Sequence, residues 1–162
     1  MTISDIGSIG ELLGAVATVA TLIYLSIQIR ENTAQSKRQA LEKIIERIVN
    51  WGARLNENPD LHEIYRQGLT KFGSFDDAQK DRYHLILAEI LMACEAVHEH
   101  GKTNAIKFES VEAIDKRILH ELRGEGARSW WADMGREFFA KDFVSHVEQL
   151  LRNRHNDRDE VY

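Results

Sequence analysis

From Leu12 to Ile29 the chain reads LLGAVATVATLIYLSIQI, eighteen positions without a charged residue. Past Arg30 the apolar residues thin to a single face and recur every three or four positions, the period of an amphipathic helix. Leu41, Ile44, Ile45, Ile48 and Leu55, with Trp51 nearby, predict that the first helix runs on past the uncharged segment. Asn58-Pro59 reads as a helix N-cap followed by proline at the first helical position, opening a short helix with Leu61, Ile64, Tyr65 and Leu69 on its apolar side. Gly73-Ser74 predicts a turn. A stronger pattern follows from about Asp76 to His100, with Tyr83, Ile86, Leu87, Ile90, Leu91, Cys94 and Val97 inward and Gly101 as its stop. A further helix is expected over Glu109–Arg123, with Val111, Ile114, Ile118 and Leu122 inward and Gly124 and Gly126 ending it. Ala127–Gly135 is a short element carrying Trp130 and Trp131. The last helix, about Ala140–Asn153, buries Phe143, Val147, Leu150 and Leu151. No segment alternates as a strand would. The expectation is an all-α protein. Residues 1–30 hold an N-terminal segment and a transmembrane helix, 31–154 a helical domain of about five helices, and 155–162 a polar tail.

An uncharged helix from Leu12 to Ile29 is roughly 27 Å long at 1.5 Å per residue, close to the hydrocarbon thickness of a bilayer. Two alternatives compete with a membrane span. A cleaved signal peptide needs a basic start, whereas Met1–Glu11 carries two acids and no Lys or Arg. A buried helix of a soluble protein would also be apolar, but five turns without a charged solvent face are rare there. On a 3.6-residue wheel the span has two sides. Ile9, Leu12, Leu13, Val16, Val19, Ala20, Ile23 and Ile27 form one, suited to lipid. Gly7, Gly10, Glu11, Gly14, Ala17, Thr18, Thr21 and Gln28, with Leu25 among them, form the other. Gly10 and Gly14 make a GxxxG that Thr18 extends. Small residues let membrane helices approach closely and hydrogen-bond, so Gly7, Gly10, Gly14, Ala17, Thr18, Thr21 and Gln28 are the expected face of a parallel homo-oligomer.

Glu11 lies at the outer end of that face. In an assembly it would form a ring of carboxylates, and with Thr18, Thr21 and Leu25 it could line a cation pore. Ser8-Ile9-Gly10-Glu11 is also an S-x-x-E capping box, which gives Glu11 a purely structural role at a helix start.

Charge adds an orientation. Arg30, Lys37, Arg38, Lys43, Arg47 and Arg54 follow the span and no basic residue precedes it. The positive-inside rule then places the C-terminal domain in the cytoplasm and the N-terminus outside a bacterial inner membrane, in a single pass. The same basic excess could rest on anionic headgroups. The net charge of the 162-residue chain is −5, which argues against nucleic acid as a partner. The lone cysteine, Cys94, cannot form an internal disulfide.

The chain lacks a P-loop, a nucleophile elbow, a dinucleotide fingerprint and a CxxC pair, so no catalytic residue and no cofactor is expected. Glu95-Ala-Val-His98 has the E-x-x-H spacing of carboxylate-bridged metal bundles. Those bundles need a second copy and two more glutamates, and no second copy of the pair is found. The simpler expectation pairs Glu95 with Arg82 or Arg117, and the metal alternative rests on Glu95 and His98, with His84 as a further candidate. Trp130-Trp131 and Phe138-Phe139 are read as core rather than as an aromatic binding patch.

The run IGELLGAVATVATLIYLSIQIRENT resembles the start of an uncharacterised family of small bacterial membrane proteins, which open with a similar IGELLGA…SLIYLA.QIR.NT segment. The resemblance extends weakly through Asn58-Pro-Asp-Leu61, the Arg82…Glu95 helix, Trp131 and Phe143-Val144-…-Val147. It implies a bacterial origin and an anchored helical domain, and it supplies no activity, cofactor or catalytic residue. His98-Glu99-His100 departs from the family pattern. The functional expectation is a membrane-anchored homo-oligomeric scaffold or binding protein, with the lipid bilayer, further copies of itself and a cytoplasmic protein as partners. The alternatives are a small cation channel with a Glu11 ring and a metal-binding bundle.

Overall fold

A computed structural model describes the backbone of residues 3–102 and 108–159, and the side chains of 11–102 and 111–154. The described residues are helical, with no strand among them. The elements are α1 (Ile3–Glu57), α2 (Pro59–Lys71), a 3₁₀ turn (Phe72–Ser74), α3 (Asp77–Lys102), α4 (Phe108–Glu121), α5 (Glu125–Asp133), a second 3₁₀ turn (Gly135–Phe138) and α6 (Lys141–Asp159). The chain divides into two compact units, Met1–Ala40 and Leu41–Tyr162.

In the first unit α1 is one uninterrupted helix through the apolar segment. It begins at Ile3, so Ser8 lies inside the helix. The capping box expected at Ser8–Glu11 is therefore not a helix start, because backbone N–H groups there already have carbonyl partners one turn earlier. Every described residue from 11 to 39 is exposed.

The second unit is a bundle built on α3. Tyr83, Ile86, Leu87, Ile90, Leu91, Cys94 and Val97 are all buried, as their spacing predicts. The last part of α1 lays Trp51 and Leu55 into this core, and the Trp51 indole N–H donates to the Ile86 carbonyl at 2.8 Å. Ile44, Ala93 and Val97 form a smaller adjoining cluster. Helix α4 packs on α3, α6 on α4, and α5 on α2.

Local chemistry sets the boundaries. The Asn58 side chain accepts from the N–H groups of Asp60 and Leu61, and Pro59 follows it, so α2 starts where the sequence predicts. Ahead of α3, Asp76 accepts from the Gln79 N–H at 2.8 Å while Gln79 accepts from the Asp76 N–H at 3.1 Å, a reciprocal cap.

Three expected stops are not stops. Helix α3 continues through Gly101 to Lys102, and Gly126 lies inside α5. The last helix runs to Asp159, well into the expected polar tail. Gly124 does stand in the break between α4 and α5, and with Gly126 it has a further role. A Cβ on Gly124 would lie 2.0 Å from the Leu69 carbonyl oxygen, and one on Gly126 2.3 Å from that of Gly68. Gly68 in turn admits the Tyr83 ring, 2.2 Å from where its own Cβ would be. These glycines let α2 and α5 cross backbone to backbone.

Candidate functional site

On α1 the small-residue side is open along its described length. A Cβ added to Gly14 would meet nothing within 4 Å. Thr18 donates its hydroxyl to the Gly14 carbonyl and Thr21 to that of Ala17, each at 2.8 Å, so both threonines satisfy themselves within their own helix. Gln28 donates to the Tyr24 hydroxyl at 2.7 Å. Glu11 is exposed. Large apolar residues on every side of the segment are open, from Leu25 at 45% to Leu12 at 66%. Gly7 and Gly10 belong to the α1 backbone, but their surroundings lie outside the described residues.

The E-x-x-H pair does not converge on a shared point. Glu95 accepts from the Ala140 N–H at 2.8 Å, just ahead of α6. It thus satisfies a backbone donor at a helix start rather than pairing with Arg82 or Arg117 as expected. His98 faces Asp142 at 3.3 Å, and its ring stacks 4.4 Å from that of His146, which contacts Asp115 at 2.7 Å. Among the described residues one group has a ligand-like arrangement: His98, Glu99 and Asp142, with donor atoms within 4.8 Å of one another. Lys102 forms ion pairs with both of its carboxylates. That ammonium holds the Asp142 carboxyl below its ordinary range, with His98 adding to the effect. The cluster is a lysine-neutralised surface network. His84 stands apart from it, its ring 4.3 Å from Phe138 and 5.9 Å from Trp130. Burial pulls the His84 imidazole below its usual value.

Trp130, Trp131 and Phe139 are buried, in agreement with the core reading, whereas Phe138 is exposed. Trp130 closes over Gly135, where a Cβ would lie 2.9 Å from the ring.

The most organised polar site is one that the sequence reading missed. Glu121, at the last turn of α4, has 0% exposure. Its Oε2 accepts from the Tyr65 hydroxyl at 2.8 Å, and its Oε1 lies 2.8 Å from Arg117 Nε, an ion contact off the hydrogen-bond line. The Arg117 guanidinium sits over the Trp51 ring, 4.9 Å from its centroid. Trp51 and Tyr65 meet edge to face at 5.7 Å. Burial, then the Glu121 charge, holds the Tyr65 phenol above its ordinary value. These residues border a cleft of ≈ 260 Å³ whose rim carries Asn56, His62 and His120. The signal was present in the pattern. Glu121 falls three residues after Ile118, on the apolar face of α4, and four after Arg117. A carboxylate at a core position requires a partner.

No family model, curated protein or solved structure matches the chain.

Proposed function

We propose that the chain is a membrane-anchored binding protein. Residues 12–29 cross the bilayer once, the second unit lies on the cytoplasmic side of a bacterial inner membrane, and copies associate through Gly14, Ala17, Thr18 and Thr21. One observation carries the reading: the most apolar eighteen-residue window of α1 has mean hydropathy 2.0, and none of it is buried. Leaving a large apolar side chain in water costs on the order of 1.5–3 kcal/mol. Ten such side chains between Leu12 and Ile29 are exposed, so lipid is the solvent that suits this helix. A soluble core helix would have its window covered. The orientation rests on the basic residues after Ile29.

Assembly is supported by the gap over Gly14 and by the self-satisfied threonines, which leave a smooth strip for a neighbouring backbone. Fractionation of bacterial membranes tests the anchor. The protein should stay in the pellet after alkaline carbonate and leave it only in detergent; release by carbonate would end the proposal. Cross-linking in native membranes tests the assembly. Gly14→Leu should reduce the cross-linked species, and a monomeric band in both proteins would remove the oligomer while leaving the anchor intact.

A further inference from the structure

Arg117 is held from two sides by contacts that do not involve the terminal edge of its guanidinium. Glu121 fixes Nε and the Trp51 ring supports one face. These two contacts, through Nε and the ring face, leave the terminal nitrogens unengaged among the described residues. A guanidinium is a rigid planar fork whose terminal donors match a carboxylate or phosphate edge to edge. With its orientation already set, this fork loses little freedom on binding.

The rest of the cleft agrees in sign. Asn56, His62 and His120 at the rim can all donate an N–H. Among the described residues Glu121 is the sole acid lining the cleft, and it is shut away from solvent behind contacts to Arg117 and Tyr65. Trp51 and Tyr65 supply aromatic walls. A volume of ≈ 260 Å³ falls just under the range of drug-sized pockets, about 300–1,000 Å³.

From this geometry we infer that the cleft binds a compact anion: the carboxylate or phosphate of a small molecule, gripped by the terminal nitrogens of Arg117. Glu121 and Tyr65 are positioning residues that aim the guanidinium, and His62, His120 and Asn56 add donors from the rim. A body of a few carbon atoms fits the volume of the cleft, against the edges of Trp51 and Tyr65 that line it. The inference rests on the second unit alone and is independent of the membrane reading.

Thermal unfolding of the full chain in uncharged detergent, titrated with inorganic phosphate or acetate against chloride at equal ionic strength, is the test. At least one of the two anions should raise the melting temperature saturably beyond chloride, by the linkage of binding to folding. Arg117→Lys keeps a cation for Glu121 but loses the fork. It should weaken binding at least about tenfold, the loss of one charge-assisted hydrogen bond. The double variant His62→Ala/His120→Ala alters only exposed rings and should weaken binding with the fold intact, which keeps the test decisive even if Arg117→Lys misfolds. A response to short-chain phosphatidate and to neither free anion would assign the phosphate to a lipid headgroup. Phosphate, acetate and phosphatidate all behaving like chloride would overturn the inference. So would wild-type affinity in Arg117→Lys or in the histidine pair.

Discussion

Glu121 shows how much one buried carboxylate can organise. Removing it strands Arg117 Nε and the Tyr65 hydroxyl together, both of which face its oxygens at 2.8 Å. Breaking one partner of a buried ion pair costs about 3–5 kcal/mol. Urea unfolding of Glu121→Ala should show a loss near the lower end, since Arg117 is partly exposed and regains some water. Cys94 is the opposite case, a group kept idle. It is fully buried, and desolvation pushes its thiol up to about 12. A thiol reagent at mildly alkaline pH should leave it untouched in the folded protein and label it once denaturant is added; rapid native labelling would contradict its burial. The Asp142–Lys102 contact makes a prediction about pH. Asp142 is held below 3.8 and Lys102 above 10.5. The carboxylate's contribution is present above its unfolded value and lost as pH falls through its lowered folded value. The ammonium's is present below 10.5 and lost as pH rises through its raised one. The melting-temperature difference between wild type and Asp142→Asn should therefore shrink below about pH 4.5 as the carboxylate is protonated and above about pH 10 as the ammonium is lost. Side-chain partners across helices were the least legible part of the sequence. Spacing within α3 exposes the Glu95–His98 relation, but nothing in it reveals that the Ala140 N–H needs an acceptor at that point. Glu121 was legible in principle, as a charge standing at an apolar position.

At the scale of elements, the periodic faces were readable because burial imposes them directly. Each inward residue predicted for α3 is buried, and Asn58-Pro59 caps α2, because both features depend on neighbours within one turn. Replacing Asn58 by Ala should cost about 1 kcal/mol. Two glycines were misread because two different physical roles share one residue type. Gly124 does stand in the break after α4, but Gly101 and Gly126 lie inside helices, and Gly124 and Gly126 both serve the α2–α5 crossing, which no local pattern encodes. The two roles separate by experiment. Gly126→Ala drives a methyl toward the Gly68 carbonyl oxygen, a backbone atom that cannot swing away, so it should destabilise by about 1–3 kcal/mol or more. Gly52 lies within α1 with nothing within 4 Å of an added Cβ. Gly52→Ala should stabilise by about 0.5–1 kcal/mol through helix propensity. Opposite signs for two helical glycines in one denaturation series would confirm that the crossing, and not helix termination, selects Gly126.

On the scale of the whole molecule, the uncharged run and the amphipathic bundle differ in what they bury. The core residues from Ile44 to Val147 all belong to the second unit, Leu41–Tyr162. The described residues 11–39 bury nothing in the folded chain. A segment that contributes no buried area to a core contributes little to its stability, because hydrophobic stabilisation scales with area removed from water. A chain beginning at Leu41 should therefore fold without detergent, and its unfolding midpoint in urea should match that of the full chain in nanodiscs. Exposed termini tolerate such cuts when their backbone serves no other element. The same cut should abolish membrane retention, since it removes the apolar window while leaving Lys43, Arg47 and Arg54 in place. If the shortened chain instead aggregates or unfolds, the α1 segment before Leu41 contributes to the bundle in a way that its exposure does not reveal. If it folds yet still pellets with membranes, the second unit has its own lipid affinity, and the basic residues past Lys43 would be its source. Folding retained together with membrane binding lost is the outcome that follows from an anchor made of one helix and a fold made of the rest.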